Sequence, residues 1–161
     1  LDARQLGIKY ILNVTYGYTA ASFSGRMPCV DIADSIVATG RATLEWAIRF
    51  IEGSHGAVRV VYGDTDSLFV EAPGRTVAEA AALGRAMAAA VSARLPHPMA
   101  LKFEKVYHPC ILQTKKRYCG LKHDGDGTPP RFEGKGIETV RRDSCPLVAR
   151  ILERACLVLF D

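Results

Sequence analysis

The chain has 161 residues, is 48% hydrophobic and 24% charged, and carries a net charge of +4. It can therefore bury a core, which excludes a disordered tail and a collagen-like chain. No apolar run reaches the ~18 residues of a membrane span and no signal peptide opens the chain, so no membrane partner is expected. The chain begins at Leu1 and closes in an apolar stretch, residues 155–160, which reads as a segment of a longer protein.

The charge is unevenly placed. Residues 1–101 hold nine basic and nine acidic side chains, whereas residues 102–150 hold eleven basic and six acidic. A basic segment following a neutral one suggests an anionic partner, with a plain solvated surface as the alternative. Five cysteines, at 29, 110, 119, 145 and 156, form no C-x-x-C pair. They suggest neither a disulfide framework nor a zinc knuckle, and fit a reducing compartment.

In chain order, residues 2–19 read as a helix ending near Gly17, and residues 20–27 as a loop. Pro28 is placed as the first residue of a longer helix. The apolar stripe of that helix is Ala33, Ile36, Val37, Leu44, Ala47, Ile48 and Ile51, with Gly53 as its C-cap. Residues 57–62 and 67–70 are rich in β-branched and aromatic side chains and flank Gly63-Asp64-Thr65-Asp66, which predicts a hairpin. Residues 76–95 form an alanine-rich helix stopped by Pro96 and Pro98. Residues 102–107 and 111–114 read as strands, 122–130 as a loop, and Pro146 as the start of a last helix. This order predicts an α+β fold with an antiparallel sheet packed on helices.

Three constellations could carry chemistry. In Tyr62-Gly63-Asp64-Thr65-Asp66-Ser67, two carboxylates one residue apart in extended chain would point the same way, roughly 6–7 Å apart. Such a pair repels itself unless a cation intervenes, and Mg²⁺ takes few protein carboxylates, leaving positions for phosphates. The alternative is an ordinary acidic turn. Asp124-Gly125-Asp126-Gly127 looks like a second acidic site, but an EF-hand there needs a glutamate where Lys135 stands, so it reads as a solvated loop. On the first helix, Gln5, Lys9, Asn13 and Tyr16 share one face, with Gly17 giving backbone access. This suits a phosphate contact by Lys9 and a base or sugar contact by Asn13 and Tyr16, or simply a wet face. Lys115-Lys116-Arg117-Tyr118, with Arg141-Arg142 downstream, suits a groove tracking a nucleic-acid backbone, or a guarded strand edge.

Lys9-x-x-x-Asn13-x-x-Tyr16-Gly17, Tyr62 to Ser67 and Lys115 to Tyr118 resemble, in order, three signature motifs of the family B DNA-directed DNA polymerases. Three runs, Asn13-Val14-Thr15-Tyr16-Gly17-Tyr18, Phe23-Ser24-Gly25-Arg26-Met27-Pro28-Cys29 and Gly136-Ile137-Glu138-Thr139-Val140-Arg141-Arg142-Asp143, resemble a translesion branch. The replicative branch usually has Ser where Val14 stands. The resemblance covers nearly the whole chain and implies part of the fingers at 1–27, the palm at 28–135 and the start of the thumb at 136–161.

It further implies that Asp66 is the main metal ligand here, with Asp64 supporting it. Lys9 would contact the dNTP triphosphate, and Asn13, Tyr16 and Gly17 would lie against the nascent base pair. Lys116 and Tyr118 would track primer-template DNA with Lys115 and Arg117 supporting, and Arg141 and Arg142 would steady the duplex. Glu104, on a strand near the hairpin, is a possible accessory acid. Two Mg²⁺ ions, accessory subunits and a nuclear location are implied as well, with an iron–sulfur or zinc centre in a C-terminal domain outside this chain. The family's other metal-binding aspartate lies upstream of this sequence, so the segment alone is expected to be inactive. A replicative polymerase and a non-catalytic polymerase-like subunit that binds DNA remain as alternatives.

Overall fold

The computed structural model describes residues 2–21, 23–25, 27–124 and 128–161. Two compact units divide the chain, residues 1–49 and 50–161.

The first unit holds helix α1 (Asp2–Ala20) and most of α2 (Val30–Ser54). No residue of α1 is buried. The connection is tight: Cys29 N–H donates to the Thr19 carbonyl at 3.0 Å, and a Cβ on Gly25 would run into the carbonyl oxygens of Ala21 and Tyr18. The first helical hydrogen bond of α2 runs from Ala33 N–H to the Cys29 carbonyl. Cys29 is therefore the N-cap, and Pro28 precedes the cap instead of opening the helix. Gly53 is not the C-cap either. The helix passes through it, and the left-handed reversal comes at Gly56 (φ +38°) and Ala57 (φ +52°). Of the expected stripe, Ala33, Ala47 and Ile51 are buried, whereas Ile36 and Val37 are exposed.

The second unit continues with a hairpin of β1 (Arg59–Asp64) and β2 (Ser67–Glu71), then α3 (Val77–Ser92). Next come β3 (Val106–Thr114), β4 (Arg117–His123) and β5 (Arg131–Lys135), and finally α4 (Pro146–Phe160). The α+β expectation holds, and all strand pairs are antiparallel; they form two ladders, β1-β2 and β3-β4-β5. Thr76 caps α3: its hydroxyl accepts from Glu79 N–H while the Glu79 carboxylate accepts from Thr76 N–H at 2.8 Å. Ala81, Met87, Ala88 and Val91 form its buried face, and Gly84 leaves room for the Phe103 ring. The Ser92 hydroxyl holds the chain after α3 by bonding both Leu101 N–H (2.8 Å) and its carbonyl (3.0 Å).

The strands expected at 102–107 and 111–114 are one element. Residues 101–105 are irregular, and β3 runs from Val106 through Pro109 with register shifts on either side of residues 110–112. Proline interrupts the ladder there without ending the strand. α4 packs on the larger sheet through Cys119, Ile137 and Cys156, with Phe132, Leu152 and Phe160 around them. All five cysteines are free thiols. Gly125, Asp126 and Gly127 of the expected acidic loop lie outside the described residues, as do Leu1, Ser22 and Arg26. Among the described residues, no helix is long and apolar enough to cross a membrane.

Candidate functional site

Asp64 ends β1 opposite Ser67, so the hairpin turns on Thr65 and Asp66 alone. Asp66 N–H donates to the Asp64 carbonyl at 2.5 Å, closing a three-residue turn on Thr65. The two carboxylates therefore do not sit on extended chain, as their spacing suggested. Thr65 has φ +51°, a left-handed conformation costly for a β-branched residue, and it places Asp64 on the strand and Asp66 on the tip.

Their environments differ accordingly. Asp64 is half-buried; its Oδ1 accepts from the Thr65 hydroxyl at 3.2 Å and lies 3.4 Å from Lys116 Nζ. Asp66 is exposed, and among the described residues no hydrogen bond or ion pair engages its carboxylate. No group of three or more His, Cys, Asp or Glu side chains in metal-binding arrangement occurs among the described residues.

Lys116 comes from the β3–β4 turn, where Thr114 pairs with Arg117. Its φ of +61° makes it the second non-glycine residue in the left-handed region at this site. Three contacts hold that turn. Lys116 N–H donates to the Tyr62 hydroxyl at 2.7 Å. Arg117 Nη2 donates to Glu138 Oε1 at 2.6 Å and its Nε to Gln113 at 3.1 Å. Gly136, at φ +64°, lies so close that a Cβ would strike the Lys116 carbonyl.

An aromatic cluster joins the two ladders. Tyr118 meets Phe69 edge-on at 4.9 Å and Tyr62 at 6.3 Å, while Phe69 stacks on Tyr107 with rings 2° from parallel. Beneath it, Glu133 Oε1 accepts from Lys105 Nζ (2.5 Å) and the Tyr107 hydroxyl (2.6 Å). Burial pushes the Glu133 carboxyl up, but these two hydrogen bonds and the Lys105 charge outweigh it and hold the group below its ordinary value. The Tyr118 phenol is raised, first by burial and then by Glu133, Tyr62, Asp64 and Glu104.

Beside the hairpin opens a cavity of about 1020 Å³, whose lining includes Asp66, Glu104, Lys105, Tyr118 and Lys135. Glu104 does face the hairpin's cavity, but from the irregular segment before β3 and not from a strand. Lys115 is exposed, and Arg117 is committed to Glu138. Arg141 pairs with Asp143, and Arg142 is exposed. In the first unit Lys9, Asn13 and Tyr16 are exposed on α1, and nothing lies within 4 Å of a Cβ at Gly17.

Tyr62, Lys105, Glu133, Gly136 and Glu138 escape sequence reasoning as site residues. Tyr62, Gly136 and Glu138 stand inside runs that resemble the family, so the signal existed but not its use; Lys105 and Glu133, 28 residues apart, carry none.

An acidic hairpin braced by a basic turn belongs to a recognisable class. The family model for DNA polymerase family B matches residues 1–161, and the chain belongs to that family. Among relatives, it is 57% identical over its whole length to the DNA polymerase zeta catalytic subunit of Drosophila melanogaster, covering 8% of that protein. It is also 57% identical to the Saccharomyces cerevisiae counterpart, again over the whole chain and 11% of that protein. The DNA polymerase delta catalytic subunit of Schizosaccharomyces pombe is 44% identical over 96% of the chain and 15% of its own length. The chain thus spans a small part of the length of these relatives, and the zeta-type subunits are the more similar to it.

Proposed function

We propose that this chain carries one metal-binding motif and the primer-facing turn of a template-directed DNA polymerase acting in translesion synthesis in the nucleus. Its family membership and its 57% identity to zeta-type catalytic subunits support the reading. The observation that carries it is the contrast within the pair: Asp64 already serves Lys116, while Asp66 offers an unengaged carboxylate at the exposed tip. Hard, exposed carboxylate oxygens fit Mg²⁺, which takes one or two carboxylates and keeps other positions for phosphate and water.

Asp66 would hold the cation, with Asp64 in support. When bound, Mg²⁺ lowers the pKa of the primer 3′-hydroxyl and offsets charge on the dNTP phosphates. The chain's own residues do the positioning. Thr65 turns Asp66 outward, and Tyr62 fixes the backbone of Lys116, whose ammonium would contact a primer-strand phosphate. Tyr118, packed between the ladders, would lie along the duplex. Lys115, Arg141 and Arg142 would add backbone charge, and Arg117 would act by bracing the turn. Lys9 would take the triphosphate, with Asn13, Tyr16 and Gly17 at the nascent pair, and Glu104 would assist as an acid.

On this reading residues 1–27 are fingers, 28–135 palm and 136–161 the start of the thumb. Accessory subunits would bind through, and an iron–sulfur or zinc centre would sit in, other regions of the polypeptide. Two carboxylates alone cannot place two cations, so the isolated segment is expected not to extend a primer.

Asp66→Asn in a full-length polymerase carrying this segment tests the proposal. Primer extension should fall by several orders of magnitude with primer-template binding retained. Unchanged extension would remove Asp66 from the metal site, and no extension by the unsubstituted protein would mark a non-catalytic DNA-binding subunit.

A further inference from the structure

The metal reading leaves a partly buried cation on the cavity wall unused. Lys105 lies on the wall of the cavity that Asp66 and Glu104 also line, and its side chain is only 20% exposed. An ammonium so far removed from water takes the nearest anion. That anion is Glu133 on β5, which pairs across the ladder with Gly120 and is itself absent from the cavity wall.

The hold on Lys105 is threefold. Its Nζ meets Glu133 Oε1 at 2.5 Å and lies 5.4 Å from the centroid of the Tyr107 ring. The Tyr107 hydroxyl donates to that same oxygen at 2.6 Å, which fixes the carboxylate from the other side. Tyr107 is in turn stacked against Phe69 and edge-on to Tyr118. The ammonium is therefore fastened at the base of the aromatic cluster.

Resting on the proposal that Asp66 holds a divalent cation, we infer that Glu133 is a positioning residue that keeps the Lys105 ammonium from the carboxylates facing the cavity. Without Glu133, the carboxylates left on the cavity wall are Glu104, which is the chain neighbour of Lys105, Asp66, and Glu71, which Arg59 already engages at 3.0 Å. An ammonium on Glu104 or Asp66 would occupy oxygens that a divalent cation needs and would cancel the negative charge that attracts it. Glu133 touches neither substrate nor metal; it acts through Lys105. The sheet thereby keeps a lysine beside an acidic site as packing without letting it become a competing ligand.

Mn²⁺ titration of the full chain without DNA, followed by the electron paramagnetic resonance signal of free Mn²⁺, tests this in five forms: wild type, Asp66→Asn, Glu133→Gln, Lys105→Met and Glu133→Gln/Lys105→Met. Circular dichroism melts check that each is folded. Asp66→Asn should abolish binding. Glu133→Gln should weaken it about tenfold, the lower end of the losses seen when a residue one step removed from a metal site is changed. The double variant should restore it, because the freed ammonium is gone. If Glu133→Gln does not fold, Lys105→Met alone must bind Mn²⁺ at least as tightly as wild type. Unchanged affinity in Glu133→Gln, weak binding in the double variant, or weak binding in Lys105→Met overturns the inference while leaving the metal site intact. Full binding by Asp66→Asn instead overturns the metal-site proposal on which it rests.

Discussion

Lys116 Nζ stands 3.4 Å from Asp64 Oδ1, and the two residues belong to different hairpins whose tips they bring together. The lysine side chain is 71% exposed and the aspartate 28%, so the pair is anchored on one side and free on the other. The anchoring comes from the Lys116 backbone bond to Tyr62, not from the ion pair itself.

Lys116→Met should therefore change stability by less than about 1 kcal/mol, as exposed ion pairs do. Primer-template affinity should nevertheless fall alike for all sequences. The slope of log affinity against log salt should drop by about 1, the signature of one lost phosphate contact. Fluorescence anisotropy across a salt series measures both. An unchanged slope would remove Lys116 from the DNA interface.

Gly136→Ala should act in the opposite sense, with a large effect on the fold. The residue sits at φ +64° and a methyl group would meet the Lys116 carbonyl. The strain should cost about 1–3 kcal/mol, lowering the melting temperature by roughly 2–4 °C per kcal/mol. Gly53→Ala is the control: it lies inside α2 with nothing within 4 Å of a Cβ. It should stabilise by about 0.5–1 kcal/mol. Equal melting of the two variants would contradict the described turn.

Much of this architecture is legible in the sequence. α1, α4 and the acidic hairpin follow from periodicity, Pro146 and the β-branched arms around Asp64 and Asp66. β5 is not legible, because Arg131-Phe132-Glu133-Gly134-Lys135 has one strand-favouring residue and a glycine. β3 reads as two strands because Pro109 cannot join a ladder, yet the strand absorbs it between register shifts. At the site, the residue types are visible but their pairings are not. Lys116 finds Tyr62 across 54 residues, and no local pattern encodes so distant a contact. The geometry of Asp64 and Asp66 also escaped, since it depends on a left-handed Thr65 that composition disfavours.

Acid should reveal the Glu133 network. Its carboxyl is held below the ordinary value of 4.5 in the folded chain, so the unfolded chain binds that proton first as pH falls. The stabilisation is fully present above pH 4.5 and is lost as pH drops through the lower folded value. The stability gap between wild type and Glu133→Gln should be constant near neutrality and close below about pH 4.5. Urea unfolding at several pH values measures it. A gap independent of pH would mean that the Glu133 carboxyl binds its proton equally well in the folded and unfolded chain.

Ile51 tests the packing beneath the cavity. It is 1% exposed and lines the cavity with Met87 and Ala88. Ile51→Ala should cost about 2–5 kcal/mol in chemical denaturation. A loss below 1 kcal/mol would show that the site is not closed around this side chain.

The most direct test is crystallographic. Crystals of a full-length polymerase carrying this segment, with primer-template, dNTP and Mn²⁺, should show an anomalous peak within bonding distance of an Asp66 carboxylate oxygen. Anomalous peaks elsewhere, with Asp66 bare of metal, would contradict the account.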